Sequence, residues 1–403
     1  MPLQVFKKTK ETLILILTIV LLFNFIKFYS FFKEYSSWQY SDWLINYQGG
    51  FVRRGLIGEF FFQIHKITKI DLDLLVLSFV YILFILNFII FFKSIKYLQN
   101  SFSEILIFLS PGLFLYPIMN SEVIGRKDIL FISLFGLLIF FFNKIKSNFQ
   151  LIVLIIVIYI TSLSHSGFLF FSQYLIFFYF LFKISINKSL TMNEIIIILF
   201  NLIIIFFLIL KNPAEQYQID LICTSIKDFV SENCNSGGRV IWLKKTISYH
   251  IDYHFRNGLG SFIKSTSIYI ISLVLVFIFI AISLYFSKFI TSNKSLNKFN
   301  PLKIMMILFL FTIPVFILTI DWGRYISLAY SSTFFLYIFC IKNKLLKIGM
   351  NSKLFGSLSL KLFFVFVFIY SFTWTFPFYG ANTFKFTLKK PYISIIKKIN
   401  MLN

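Results

Sequence analysis

Residues 12–32, TLILILTIVLLFNFIKFYSFF, decide the fold class of this chain. Lys27 is the only charged side chain in the stretch, and a helix of this length reaches across the roughly 30 Å hydrocarbon core of a bilayer. Lys7, Lys8 and Lys10 precede it and no small-residue cleavage site interrupts it. It therefore reads as an uncleaved signal anchor with a cytoplasmic N-terminus, not as a signal peptide that is removed.

Working outward, apolar runs of similar character recur at 72–92, 103–120, 129–143, 150–164, 167–186, 194–210, 265–287, 303–320, 323–341 and 360–377. The expectation is an all-α, polytopic integral membrane protein of about 11 transmembrane helices, within a range of 10–13. Composition agrees. Hydrophobic residues make up 58% of the 403 residues, charged residues 14%, and the mean hydropathy is +0.83, which leaves too little polar surface for a water-soluble globule. No solenoid repeat appears, and no soluble stretch exceeds residues 212–264. The chain reads as one integral-membrane domain, 1–403, carrying 212–264 as a long non-cytoplasmic loop. The 58 phenylalanines, with abundant Ile, Lys and Asn, fit an AT-rich bacterial genome and carry no functional weight.

A formal charge of +23 in a soluble protein would suggest nucleic acid. Here the lysines fall in the linkers 93–96, 144–146, 183–188, 288–303 and 342–361, and a cytoplasmic N-terminus places all five on the cytoplasmic side. The positive-inside rule accounts for the charge, and no nucleic-acid partner is expected. The tail is the exception, since Lys385, Lys389, Lys390, Lys397 and Lys398 end outside if eleven helices cross. Either another span exists or residues 374–403 turn back as an interfacial segment. Residues 56–70, LIGEFFFQIHKITKI, have a similar interfacial character.

The rarer charged motifs fall on the opposite, outward face. SDWLINYQGGFVRRGLIGE (41–59) places Gly49 and Gly50, where backbone can approach a ligand, beside Arg53 and Arg54, whose planar donors suit a phosphate or diphosphate. Asp42 and Glu59 flank them as candidate bases. NSEVIGRKD (120–128) crowds Glu122, Arg126, Lys127 and Asp128 between two spans, against the basic-inside pattern. Its readings are an anion clamp or a salt-bridge cluster tying helix ends. His165 in TSLSHSG is either a helix cap or a group that handles a proton near neutral pH. DWGR adds Asp321 and Arg324, which share a helical face and can also simply pair. Charge at a membrane site is costly and usually has a task.

Cys223 and Cys234, separated by ten residues in the outer loop, suit a disulfide in an oxidising compartment. Cys340 lies in an apolar span and reads as core filler. The loop continues into VIWLKKTISYHIDYHFRNGLGSF (240–262), whose Trp242, Tyr249, Tyr253 and Phe255 suggest a helix at the lipid headgroups. His250, Asp252 and His254 could be offered to a metal, but with no HExxH or zinc spacing no metal is expected. Without a P-loop, dinucleotide fingerprint or serine elbow, no cofactor is expected either.

Arginines, carboxylates and a histidine around an outward-facing membrane pocket fit glycosyl transfer from a polyprenyl-(di)phosphate sugar. The arginines neutralise the anionic leaving group, and Asp42, Glu59, Asp128, His165 or Asp321 deprotonates the attacking hydroxyl. In these motifs, Asp42 to Glu59, Arg126 to Asp128, His165 and Asp321 to Arg324, the chain resembles the Wzy/EpsG-like glycan polymerases and the GT-C glycosyltransferases. The resemblance implies a bacterial inner-membrane enzyme of surface polysaccharide biosynthesis. Its partners would be the bilayer, lipid-linked sugars and other polysaccharide-assembly proteins. Asp42 matches the general position of the GT-C catalytic acid, and Arg53, Arg54 and Arg239 match the outer-loop arginines of the polymerases. The long loop is mid-chain rather than a large C-terminal domain, a departure from the pattern. The competing class is a transporter or flippase of lipid-linked glycans or another anion.

Overall fold

The computed structural model describes residues 3–33, 38–98, 102–210, 213–230, 238–256, 259–291, 293–294, 296–348, 360–378 and 385–386. It is a helical membrane protein, with strand limited to two short antiparallel pairs at 288–289 with 346–347 and 374–375 with 385–386 among these residues. The α-helices in chain order are α1 (Leu3–Lys33), α2 (Trp38–Leu44), α3 (Leu56–Thr68), α4 (Leu72–Ile95), α5 (Phe102–Phe108), α6 (Tyr116–Met119), α7 (Asp128–Phe141), α8 (Ser147–Ser164), α9 (Ser172–Ser185) and α10 (Met192–Leu210). They continue as α11 (Gln216–Ile226), α12 (Ile247–Arg256), α13 (Leu259–Tyr285), α14 (Pro301–Leu310), α15 (Ile313–Leu318), α16 (Trp322–Lys342) and α17 (Leu360–Phe372).

Eight helical stretches among the described residues are long and apolar enough to cross a bilayer. Of the other three expected runs, 129–143 is a single but shorter helix, α7, and the other two are interrupted. Residues 103–120 break at Ser110, Pro111 and Gly112 into α5 and α6, since proline supplies no amide donor and clashes with the preceding turn. The backbone freed there stays inside protein: Tyr330 Oη donates to Ile107 O at 2.7 Å and Ser327 Oγ to Gly112 O at 2.9 Å. That is where non-helical chain at membrane depth is tolerated. α7 has 14 residues, about 21 Å of rise. α17 ends at Phe372, after which the chain turns into the bundle.

α16 is the axis. Every residue from Gly323 to Ile341 is buried, as expected for a helix that is apolar or small on all sides. It packs against α7, α9 and α13, and its Ser327, Ala329, Ser331, Ser332 and Thr333 let neighbouring backbones approach. α10 lies at the periphery, with Ile196, Leu199, Phe200, Ile203 and Phe207 exposed at helical spacing toward lipid. Residues 213–230, in the long segment between α10 and α13, are docked, not free. Ile219, Ile222 and Ile226 of α11 are fully buried in a core shared with α2, α3 and α4.

The two ends of α7 mark two chemically different faces. At its C-terminal end, Lys342 Nζ donates to Ile139 O at 2.8 Å, and Lys93 and Lys144 lie 4.0 and 5.3 Å from the Phe141 ring centre. At its N-terminal end stands Asp128, bonded to Arg324. The linker lysines and the arginine motifs thus occupy opposite ends of the bundle.

Candidate functional site

Five sequence-distant segments converge at the N-terminal end of α7. α2 presents Asp42, which is fully buried and lies 3.8 Å from Arg239 Nη1 in the outer loop. The next residue fixes the turn before α7: Trp43 Nε1 donates to Gly125 O at 2.6 Å. Gly125 has φ +71°, and a Cβ there would stand 2.1 Å from the Phe28 ring, so only glycine fits. This turn aims Arg126 and Lys127 inward. Lys127 is fully buried and its Nζ donates to Arg54 O at 3.1 Å.

Arg126, Asp128, Asp321 and Arg324 form a network. Arg324 Nε donates to Asp128 Oδ2 at 2.5 Å, while Asp321 Oδ2 lies 3.5 Å from Arg324 Nη1 and 3.7 Å from Arg126 Nη1. Of the four, Asp321 is the most open, with 23% of its side chain exposed. Residues 374–378 close over the network. Asn120 Nδ2 donates to Thr375 Oγ1 at 2.8 Å and Phe376 O at 3.1 Å, Phe376 stacks on Tyr116, and the Phe378 ring lies 4.2 Å from the Arg126 guanidinium. The start of the tail is therefore an inward strap; residues 379–384 and 387–403 lie outside the described residues.

A cleft of about 660 Å3, its open mouth included, is lined by Arg54, His165, Arg239, Trp242, His250 and Asp321, with Tyr253, Tyr325 and residues 318–320 completing the wall. That size suits a small organic ligand. Trp242 stacks on His250 with ring centres 5.7 Å apart, and Tyr253 meets Trp242 edge-on at 5.6 Å. Trp242 and Tyr253, two of the four aromatics that read as a headgroup-level helix, line the cleft together with His250. The missed signal was their adjacency to Arg239 in the same loop.

The remaining candidates are placed as follows. Arg53 is a strut: its Nη2 donates to Trp242 O at 2.9 Å and Lys245 O at 3.0 Å, holding the aromatic wall in place. Glu59 sits apart from the cleft, accepting from Tyr47 N–H and Gln48 Nε2, both at 2.9 Å, and from Gln63. Gly50 takes φ +101°, and a Cβ on Gly49 would stand 2.6 Å from Gln218 O; the pair lets the loop pack on α11. Glu122 is exposed. Cys223 is disulfide-bonded and Cys340 is free and buried; Cys234 lies outside the described residues. No group of three or more His, Cys, Asp or Glu is placed to hold a metal ion among the described residues, and the His254 side chain lies outside them.

Charge is unbalanced here. Arg54, Arg126, Lys127, Arg239 and Arg324 face Asp42, Asp128 and Asp321, five cations against three carboxylates. Burial opposes ionisation of Asp42, but Arg239, Lys127, Arg54 and Arg324 outweigh it and hold the carboxyl well below the usual range. Burial pushes Lys127 down to about 8 and Arg239 down to about 9, against the pull of Asp42. His165, in the turn after α8, is buried among Arg324, Arg54, Arg239 and Lys127, which together with burial hold its imidazole well below its ordinary value. It is neutral. Its Nδ1 accepts from Gly167 N–H at 3.2 Å, which leaves Nε2 to carry the proton and donate.

Several arginine N–H groups are buried without a hydrogen-bond acceptor, among them Arg54 Nε, Arg126 Nη1 and Arg324 Nη2. Buried polar groups are normally satisfied, and these donors stand beside carboxylate oxygens of Asp42 and Asp128 that also make no hydrogen bond. The class this fold and site define is a polytopic helical membrane protein with a buried, cationic, aromatic-walled cleft at one end of its bundle. Comparison with protein-family models, curated proteins and solved structures finds no match to this chain.

Proposed function

We propose that this chain is a membrane glycosyltransferase or glycan polymerase that uses lipid-(di)phosphate-linked sugars at the periplasmic face of a bacterial inner membrane, for surface polysaccharide biosynthesis. The observation that carries the reading is the five-to-three excess of cations over carboxylates around an aromatic-walled cleft at the end of the bundle opposite Lys93, Lys144 and Lys342. A phosphate or diphosphate supplies the missing negative charge and the acceptors for the orphaned donors. Aromatic faces beside it suit the apolar faces of a sugar ring.

In this reaction the hydroxyl oxygen of the acceptor attacks the anomeric carbon of the donor, and the bond from that carbon to the phosphate oxygen breaks. Asp321, the carboxylate that lines the cleft, accepts the hydroxyl proton. Arg54, Arg126, Arg239 and Arg324 neutralise the departing prenyl (di)phosphate, and His165 donates from Nε2. Asp42 acts one layer below, holding Arg239. The activated bond resides in the donor, so the reaction needs no nucleotide.

The alternative is transport of the same lipid-linked anion without chemistry. The clustering of charge at one end of α7 favours the enzyme, because transporters tend to place their sites near the bilayer midplane. The test is to incubate lipid-linked glycans extracted from the native host with the purified protein in liposomes. Free prenyl (di)phosphate and a longer glycan appear with the wild type and not with Asp321→Asn; unchanged lipid-linked glycans with the folded wild type would refute the reading.

A further inference from the structure

The polar cleft takes Asp321 from the four-member network, and a second cavity takes Arg126, Asp128 and Arg324. This second cavity measures about 790 Å3 with its open mouth included and lies among α1, α4, α7, α16 and the broken segment before α6. Much of its wall is apolar, as at Val20, Phe84 and Phe114, but a polar stripe runs along it. Arg324, Ser327 and Ser331 line the cavity at i, i+3 and i+7 of α16, a spacing that puts them on one helix face. The stripe descends about 10 Å from the network into the bundle. α4 adds Asn87 and α1 adds Asn24 to the same lining. Toward the lysine end stands Phe91, whose ring centre lies 5.3 Å from that of Phe114, 6.2 Å from Phe334 and 5.8 Å from Phe335. The cavity is thus a shaft with a polar stripe and an aromatic floor.

The unpartnered atoms of this lining are of both kinds. Asn24 Oδ1, Asn87 Oδ1 and Asp128 Oδ1 accept from nothing in the protein, and Arg126 Nη1 and Arg324 Nη2 donate to nothing. Asn87, Asp128, Arg126 and Arg324 are each more than nine-tenths buried. The Asn87 amide is fixed in its orientation, because its Nδ2 donates to Leu83 O at 3.0 Å and Ser133 Oγ at 2.7 Å, which leaves Oδ1 as the end without a partner. A hydrocarbon occupant leaves all five atoms unsatisfied. An anion is repelled by Asp128 and offers nothing to the amide oxygens, and a cation is repelled by the two guanidiniums. The match is a small neutral molecule that both donates and accepts, with the two to four polar partners that a buried water needs. We infer that this shaft holds a file of water that solvates the Asp128 and Arg324 pair from inside the bundle and ends blind at Phe91. Such a file keeps the network ionised at a depth where bare charge is costly. It is independent of the transferase reading and describes the resting protein; a phosphate entering from the cleft displaces the waters nearest Arg126 and Arg324.

The test is X-ray hydroxyl-radical footprinting of the full-length protein in nanodiscs, in which radicals form from the bound water itself and oxidise the side chains beside it. Phe84 and Phe114 line the shaft and are buried, whereas Phe178 is equally buried but lies outside it, against Phe135, Phe142 and Phe339. Oxidation is expected at Phe84 and Phe114 and not at Phe178. Asn87→Leu and, independently, Ser331→Val remove polar partners from the file, and each is expected to lower oxidation of Phe114 several-fold while the exposed Tyr217 is oxidised as before. A phospholipid with a diazirine in its acyl chain, photolysed in the same nanodiscs, reports the competing occupant; it is expected to label the outward-facing Ile85 and Ile89 of α4 and to spare Phe114. Phe84 and Phe114 as inert as Phe178 in the wild type, oxidation undiminished in whichever variant folds, or capture of the acyl chain at Phe114 would overturn the inference.

Discussion

Arg324 Nε donates to Asp128 Oδ2 at 2.5 Å, joining α16 to the first residue of α7 across 196 residues of sequence. Both groups are nearly inaccessible, and Asp321 and Arg126 extend the pair into a four-member network. Removing one partner leaves a buried charge uncompensated, which costs more than removing both.

Asp128→Asn and Arg324→Gln, singly, are therefore expected to destabilise the protein by about 3–5 kcal/mol. The double variant is expected to cost less than the sum, with a coupling of about 1–3 kcal/mol. Unfolding in detergent, run as a double-mutant cycle, measures this; additive effects would mean the pair does not exist.

Asp321→Asn tests the base. It is expected to lower turnover per folded molecule by roughly 10²–10⁴-fold, beyond any loss of abundance from unpairing Arg126. Glu59→Gln is the contrast. Glu59 holds the Tyr47 N–H and the side chains of Gln48 and Gln63, so its loss is expected to reduce abundance and leave turnover per folded molecule unchanged. Western blots alongside glycan elongation separate the two outcomes.

Adjacent arginines are expected to differ. Arg53→Ala removes both bonds to the carbonyls of Trp242 and Lys245 and frees the aromatic wall, so it lowers abundance and increases proteolysis of the outer loop. Arg54→Ala opens no such bond and instead weakens binding of a prenyl phosphate. Equal phenotypes from the two substitutions would contradict the division of roles.

Binding of a phosphate is expected to weaken as pH rises. Burial pushes Lys127 down to about 8 in the ligand-free protein. Its ammonium carries charge below that value and loses it above. A phosphate monoester is already fully ionised there, its second pKa being about 6. Affinity is thus full near pH 7 and falls from pH 8 upward, with the midpoint moved higher by bound anion. Titration of a fluorescent prenyl phosphate between pH 7 and 10 checks it; a flat profile would remove Lys127 from the site.

The sequence discloses the membrane class and the segregation of charge because both rest on local composition, as in residues 12–32 and the lysine linkers. It misleads where distant side chains rescue a broken helix. Nothing within 103–120 reveals that Tyr330 and Ser327 accept the burden of its carbonyls, so the run reads as one span. Residues 360–377 mislead similarly, since Phe376 is apolar for the sake of Tyr116, not of lipid. At the site, the residue types were legible and their partners were not. Asp42 and Arg239 are almost two hundred positions apart, and no local pattern distinguishes Arg53, which braces backbone, from Arg54, which lines the cleft.

The central claim is that the cationic cleft extends or transfers lipid-linked glycans outside the cytoplasm. The most direct measurement is the leaflet position and length of lipid-linked glycans in the native host with the gene deleted, restored, and restored as Asp321→Asn. A single unextended unit is expected to accumulate on the outer leaflet in the deletion and in Asp321→Asn, with normal product on restoration. An unchanged glycan profile would contradict it, and the same unit held on the inner leaflet would make the protein a flippase instead.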